Sequence, residues 1–261
     1  MFKLNAYQLK LLAIIGMITS HMTIAWWEII PIWLQFPMYA AGGLTFPIMA
    51  YFVAEGYKHT SNLKKYILRV LLFGVLALPF HILTITFPMG GGDPAIYPYL
   101  NIMFSIVVSL LVLALHDKIK ARPLFWILYL FIIVPLSLLL LEWYFIGVTM
   151  VLMAYLIKNE TVRRVIPPFF AATFFAIVGL VLTPFLVQQF AQSDAAPLLA
   201  TPDFTPVQMS FIIGMLVAAC LLKGYNGERG KRMKWLFYVI YPVHFVILFL
   251  GMMVIRAMGL A

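Results

Sequence analysis

"QLKLLAIIGMITSHMTIAWW", residues 8–27, is the stretch that decides the fold of this chain. It is about as long as a helix must be to cross the hydrocarbon core of a bilayer, and it contains no acidic residue. The rest of the chain has the same character, since 64% of its 261 residues are hydrophobic, 10% are charged and the mean hydropathy is +1.01. A soluble domain of this length cannot bury so much apolar surface, so we expect lipid to be the solvent.

Further apolar runs of similar length follow, and the long one that begins at 123 is divided at Glu142 because it exceeds a single span and contains no basic loop. The predicted spans are 8–27, 38–57, 66–87, 98–115, 123–141, 143–157, 166–187, 207–223 and 235–256. The sequence therefore predicts an all-α polytopic membrane protein of about nine transmembrane helices. A single integral membrane domain covers residues 1–261.

The basic residues predict how these spans are oriented. With the N-terminus inside, only Arg256 falls on the outer side, which leaves 17 of the 18 lysines and arginines inside. Such asymmetry favours a cytoplasmic N-terminus, an external C-terminus and an odd number of spans. The same distribution explains the net charge of +9 without a nucleic-acid partner. The lone Cys220 gives neither a disulfide framework nor a cysteine-rich metal site, and no metal is expected.

Two basic side chains share one face of the first predicted helix. Lys10 and His21 are eleven residues apart, which is three turns plus roughly 20°, and they are separated by about 16 Å along the axis. They would line one side of a polar shaft, because ionisable residues inside a membrane usually face a cavity or a partner. The structural alternative is that Lys10 extends to the surface while His21 bonds a neighbouring carbonyl group.

The end of the second predicted span carries a charged cluster. Glu55 lies inside an apolar run, where a carboxylate needs a partner, and Arg69 at the start of the next span is the natural candidate. An arginine held there could also bind a phosphate group. Membrane orientation alone would explain the lysines of this loop. The cluster consists of Glu55, Lys58, His59, Lys64, Lys65 and Arg69.

Polar residues also occur where helices approach the predicted outer surface. They are His81, Asn101, Glu142 and the pair Tyr241 and His244. A proline between the last two frees a backbone carbonyl group, which membrane helices tolerate where a neighbour or water satisfies it. Each could be a satisfied structural group, but together they predict a polar cavity that is open to the inside and reaches toward the outside.

Several stretches of the chain resemble the TraX family of F-pilin acetylases over nearly the full length. They are "LKLLAIIGMITSHM", "GGLTFPIMAYFVAEGYKHTSNLKKYILRVLLFGVLALPF", "LNIMFS", "EWYFIGV" and "YPVHF". That family in turn looks similar to the acyltransferase-three group of membrane acyltransferases, in which a basic residue and a histidine lie eleven apart on the first helix.

The resemblance implies a multi-pass acetyltransferase of the bacterial cytoplasmic membrane. It would move an acetyl group from acetyl-CoA to an amine or hydroxyl of a pilin-like protein or an envelope glycan. His21 would be the general base, since an imidazole pKa of about 6.5 suits that task. Asn101 or Tyr241 would donate to the oxyanion, and His244 joins them in the catalytic set. The cofactor-binding set is Lys10, Glu55, Lys58, His59, Lys64, Lys65 and Arg69.

Two departures from the family pattern keep other functions open. Ser20 stands where the family usually has an acid before the histidine, and Gly43 and Leu44 stand where it usually has an arginine. A non-catalytic relative and a small-solute transporter or flippase are therefore the alternatives. Direct transfer and a route through acetylated His21 both remain open, and the sequence does not define the oligomeric state.

Overall fold

The structure is a computed structural model in which residues 3–86, 100–189, 206–232 and 234–259 are described. In this part of the chain ten helices longer than one turn follow one another, and a four-residue helix, Pro206–Met209, precedes the ninth of them. The ten helices are α1 Ala6–Ala25, α2 Ile32–Gly42, α3 Thr45–His59, α4 Leu63–Thr86, α5 Ile102–Lys118, α6 Arg122–Leu140, α7 Tyr144–Leu156, α8 160–189, α9 Phe211–Lys223 and α10 Lys234–Ala257. α6 and α8 each contain one π-helical turn, at Tyr129–Ile133 and Val178–Leu182.

The all-α membrane architecture expected from the sequence is confirmed. Among the described residues, six stretches are long and apolar enough to cross a membrane, namely α1, the α2–α3 pair, α4, α6, α8 and α10. The helices α7 and α9 are apolar but shorter. The count of nine spans and the orientation of the termini stay predictions, and parts of the predicted spans 66–87 and 98–115 lie outside the described residues.

A turn at Glu142 divides the long apolar run, as the sequence predicts. α6 ends at Leu140 and α7 begins at Tyr144, whose φ of 47° reverses the chain. Two backbone hydrogen bonds join this turn to the chain before α5, from Leu100 N–H to the Leu140 carbonyl at 2.7 Å and from Glu142 N–H to the Leu100 carbonyl at 3.1 Å. They place Glu142 beside the start of α5.

Contacts between helix termini define two ends of the bundle. At the basic end, Leu4 before α1 pairs with Tyr225 after α9, and Glu55 near the end of α3 pairs with Arg163 near the start of α8. At the histidine end, His21 near the end of α1 and His81 near the end of α4 both approach the Glu142 turn. The two groups of polar residues therefore occupy opposite ends.

Glycines allow α2 to pack closely against α1 and α9. A β-carbon at Gly16 would collide with the Ala41 carbonyl oxygen, and one at Gly214 would collide with the Ala40 carbonyl oxygen. Small residues at such contacts are typical of membrane helices, whose association depends on close packing. Gly43 similarly lies against the Phe211 carbonyl oxygen. An arginine at position 43 has no room here, so this departure from the family pattern fits the local packing.

Candidate active site

A hydrogen-bonded pair of imidazoles lies at the histidine end. His244 Nε2 is 3.1 Å from His21 Nδ1, and His244 Nδ1 is 3.1 Å from the Ile240 carbonyl oxygen one turn earlier in α10. A carbonyl oxygen only accepts, so His244 Nδ1 carries the hydrogen and Nε2 of the neutral ring accepts from His21 Nδ1. In the neutral form of the His21 ring, these hydrogen bonds leave the lone pair on Nε2, the nitrogen that a general base would use.

A carboxylate lies next to that nitrogen. Glu142 Oε1 is 3.8 Å from His21 Nε2, and Glu142 Oε2 is 3.5 Å from His81 Nε2. The Ile102 amide donates to Glu142 Oε2 at 2.8 Å. We call His21, His81, Glu142 and His244 the histidine centre. Its three histidines are almost fully buried, at 7%, 4% and 3% exposure, whereas the Glu142 side chain keeps 25%.

Phe245 forms the apolar floor of the histidine centre. Its ring centroid lies 4.7 Å from that of His21, 5.1 Å from that of His81 and 4.0 Å from that of His244. The Phe245 side chain is fully buried. Each of the three imidazole rings packs on Phe245, which limits the rotamers that it can adopt. A preorganised site requires such restriction.

The two residues that the sequence proposes as oxyanion donors, Asn101 and Tyr241, differ in their hydrogen bonding. The Asn101 side chain donates to the Gly74 carbonyl at 2.9 Å and accepts from Met103 N–H at 3.1 Å as the N-cap of α5. Asn101 is thus committed to holding α4 and α5 together. The Tyr241 hydroxyl is buried beside the Ile102 amide, and it lacks a hydrogen-bond partner within the described residues. Of the two side chains, only that of Asn101 is already committed to hydrogen bonds among the described residues.

A cavity of about 670 Å³ opens at the basic end. Four residues of the predicted cofactor set line it, namely Lys10, Glu55, His59 and Arg69. Lys58, Lys64 and Lys65 are not among the lining residues, and their assignment to the cofactor site stays a prediction. Arg229 and Lys231 line the cavity and were missed by sequence reasoning. The sequence feature that could have indicated these two residues is their position in the last basic loop before α10.

The prediction that Arg69 is the partner of Glu55 is wrong. Glu55 Oε1 is 2.6 Å from Arg163 Nη2, with Lys58 Nζ and His59 Nε2 farther away at 3.8 and 3.7 Å. Arg69 is not among the ion-pair partners of Glu55, although both side chains line the cavity. The start of α8 packs beside the end of α3, and a contact of that kind between distant segments has no signal in one sequence.

The cavity opens at the basic end and reaches Met103, but within the described residues no open shaft joins it to the histidine centre. Met103 lines the cavity and directly follows Ile102, whose amide bonds Glu142. The cavity lining does not include His21. Along α1, Met17 lies between Lys10 and His21, and it belongs with Met103 and Tyr241 to one buried cluster. Side chains of this cluster therefore close the continuous tunnel that the sequence predicts.

Sequence reasoning noticed Glu142 and His81 as polar residues but did not place them in the catalytic set. Their position at helix ends on the side of His21 was the available signal. Three imidazoles near one carboxylate would also suggest a metal site. Across the described ranges, however, no group of three or more such side chains is positioned to hold a metal ion.

Comparisons with known proteins complete the description. The model of the family described as TraX protein matches residues 5–252. A probable fimbrial assembly protein FimC, serogroup H1, from Dichelobacter nodosus is 28% identical over 255 residues, which cover 94% of each chain. No solved structure matches this chain. The more distant similarity to the acyltransferase-three group stays a prediction. Since the family model covers nearly the whole sequence, this chain belongs to the TraX protein family.

Proposed function

We propose that this chain is a membrane-embedded acetyltransferase that takes acetyl-CoA at the basic end and transfers its acetyl group at the histidine centre. The observation that carries the proposal is the chain from the Ile240 carbonyl through His244 to His21. In the neutral form of the His21 ring, these hydrogen bonds leave Nε2 unprotonated, on the same helix as Lys10 of the cation-lined cavity.

The cavity at the basic end has the chemistry that acetyl-CoA requires. Lys10, Arg69, Arg229 and Lys231 surround it, and they would pair with the phosphate groups of the nucleotide. Tyr238 also lines the cavity and would stack on the adenine ring. The cations stand at the predicted cytoplasmic face, where acetyl-CoA is made.

The acyl-carrying arm would then extend from the cavity toward His21. Met17 and Met103 lie in its way, and methionine is the side chain best suited to move aside because it is unbranched and flexible. The distance from Lys10 to His21, about 16 Å along α1, is comparable to the length of that arm. Binding would thus place the thioester near His21 Nε2.

Transfer needs a base and a donor for the developing oxyanion. His21 Nε2 would remove the proton from the acceptor as its nitrogen or oxygen attacks the thioester carbon. The Tyr241 hydroxyl would donate to the carbonyl oxygen, because it is buried near the histidine centre without another partner among the described residues. The carbon–sulfur bond then breaks, and the departing thiolate takes the proton from His21. A positioned base typically contributes roughly 10²–10⁴-fold to the rate.

The acceptor is proposed from the setting rather than from the geometry. The relative from Dichelobacter nodosus is named as a fimbrial assembly protein. We therefore propose a pilin-like membrane protein, through its N-terminal amine, as the first acceptor to test. An envelope glycan is the second. A cytoplasmic membrane location fits both acceptors, because each passes through that membrane before it is assembled outside.

The test is label transfer from radioactive acetyl-CoA to a membrane extract by purified protein. His21→Gln is expected to lower the rate at least 100-fold while binding of CoA changes less than twofold. His116→Ala is the matched control, because this histidine lies at the basic end outside the cavity lining. Equal label transfer by wild type and His21→Gln would refute the catalytic proposal. CoA binding without transfer by the wild type would favour a non-catalytic relative. Solute uptake by proteoliposomes without CoA binding would favour transport.

A further inference from the structure

The acid that the family usually carries before the first-helix histidine has no equivalent at position 20. Ser20 Oγ donates to the Met17 carbonyl at 3.1 Å, and a β-carbon at Gly42 would collide with Ser20 Cβ. Ser20 therefore faces α2. His21 faces α10, since successive residues of a helix point about 100° apart. In this fold an acid at position 20 would lie against α2, so a carboxylate that serves His21 has to come from another helix.

Glu142 is that carboxylate, and three features hold it in place. Its Oε1 lies 3.8 Å from His21 Nε2, while its Oε2 accepts from the Ile102 amide at 2.8 Å and lies 3.5 Å from His81 Nε2. Its own amide donates to the Leu100 carbonyl at 3.1 Å, which anchors the turn. The side chain is fixed by a helix N-terminus on one side and by an imidazole on the other, so its charge is directed at the base.

We propose that Glu142 is the positioning residue of His21 and supplies, from the turn between α6 and α7, the negative charge that stabilises the His21 imidazolium. His81 and the Ile102 amide keep its carboxylate in place. This inference rests on the acetyltransferase proposed above. The proton moves from the acceptor to His21 Nε2, an imidazolium–carboxylate pair forms, and the pair is discharged when the proton passes to the departing thiolate. Glu142 forms no covalent bond.

The surroundings make this charge effective. A carboxylate within 4–6 Å of an imidazole favours the protonated ring, and the effect is larger where water is scarce. The other titratable side chain that contacts His21 is His244, which in turn contacts the Tyr241 ring, and His81 lies on the far side of the carboxylate. Within the described residues, the ion pairs of His21 include no other carboxylate.

The experiment compares Glu142→Gln, Glu142→Asp and wild type in the label-transfer assay at saturating acetyl-CoA across pH 5–9. Glu142→Gln keeps an oxygen for the Ile102 amide but removes the charge. We expect its rate to fall about 10- to 100-fold, less than loss of the base itself, with CoA affinity unchanged within twofold. The acidic limb of its pH–rate profile should lie at lower pH, because the imidazolium has lost its counter-charge. Glu142→Asp should recover part of the rate and the wild-type limb.

Glu28→Gln is the matched control, because this exposed glutamate lies on the turn after α1. A rate within twofold of wild type and an unchanged limb for Glu142→Gln would overturn the inference. The inference would also be overturned if Glu142→Gln and Glu142→Asp lowered the rate equally and had the same acidic limb. The negative charge would then not be what sets the rate. If His21→Gln is inactive while Glu142→Gln is normal, only this inference fails. If His21→Gln is active, the acetyltransferase proposal fails first.

A second variant covers the case in which Glu142→Gln does not fold. His81→Leu leaves the carboxylate and removes one of the groups that hold it. We expect a rate roughly 3–10-fold lower with the acidic limb near its wild-type position. An unchanged rate in folded His81→Leu would overturn the assigned role of His81. An acidic limb that moves to lower pH, as expected for loss of the charge, would overturn the role of Glu142, because its carboxylate is still present in this variant.

Discussion

Replacing Arg163 with methionine tests how the basic end is held together. The Arg163 side chain is 3% exposed, and its guanidinium donates to Glu55 Oε1 at 2.6 Å, Glu160 Oε1 at 2.8 Å and the Ala154 carbonyl oxygen at 2.8 Å. These acceptors belong to α3, α8 and α7. Methionine keeps an unbranched apolar side chain but removes the charge and all three hydrogen bonds.

The expected loss of stability follows from what remains around the acceptors. Removing one partner of a buried ion pair destabilises a protein by roughly 3–5 kcal/mol. Glu55 is 26% exposed and keeps Lys58 and His59 within 4 Å, so we expect about 1–2 kcal/mol from it. Glu160 is 56% exposed and contributes about 0–1 kcal/mol. The Ala154 carbonyl loses a hydrogen bond of about 1 kcal/mol. Together these losses should lower the free energy of unfolding by about 2–4 kcal/mol.

The measurement is a double-mutant cycle on the free energy of unfolding in detergent micelles. Arg163→Met is combined with Glu55→Gln, and Arg69→Met is combined with the same change as the matched control. We expect a coupling energy of about 1–2 kcal/mol for the first pair and near zero for the second. A larger coupling of Glu55 to Arg69 than to Arg163 would refute the pairing described here. So would a loss below about 1 kcal/mol for Arg163→Met alone.

Three further outcomes are expected. Arg229→Ala should weaken CoA binding about 5–30-fold in calorimetry, because the cavity loses one phosphate partner, whereas Lys64→Ala, outside the cavity lining, should change it less than twofold. Gly214→Ala should lower the unfolding free energy by at least about 2 kcal/mol, because its β-carbon collides with the Ala40 carbonyl oxygen; unchanged stability would contradict the close helix contact. Although partial burial opposes it, hydrogen bonds from two tyrosine hydroxyls lower the pKa of Asp117. Its stabilising contribution is therefore present above its ordinary pKa of 3.8 and is lost as pH falls through the lower folded value. Asp117→Asn should reduce stability at pH 7 but not at strongly acidic pH.

The amino-acid sequence by itself indicated that lipid surrounds this protein, that it is all-helical and that a turn at Glu142 divides its long apolar run. These properties depend on length, hydropathy and the absence of a basic loop, which are local and can be counted. Family membership, which the resemblance also indicated, is confirmed by the match over residues 5–252. The polar residues of the histidine end were all visible, because ionisable side chains stand out against an apolar run.

Only the tertiary structure decided which of these residues meet. His21 and His244 are 223 positions apart, and Arg163 replaced Arg69 as the partner of Glu55 because α8 lies beside α3. The acid beside His21 likewise comes from Glu142 rather than from position 20. Hydropathy is a property of each segment. Which side chains become partners depends instead on how each helix is rotated about its axis and on which helices lie next to each other. Close contacts at small residues set both the rotation of each helix and the identity of its neighbours. In the sequence these contacts are visible only as scattered glycines.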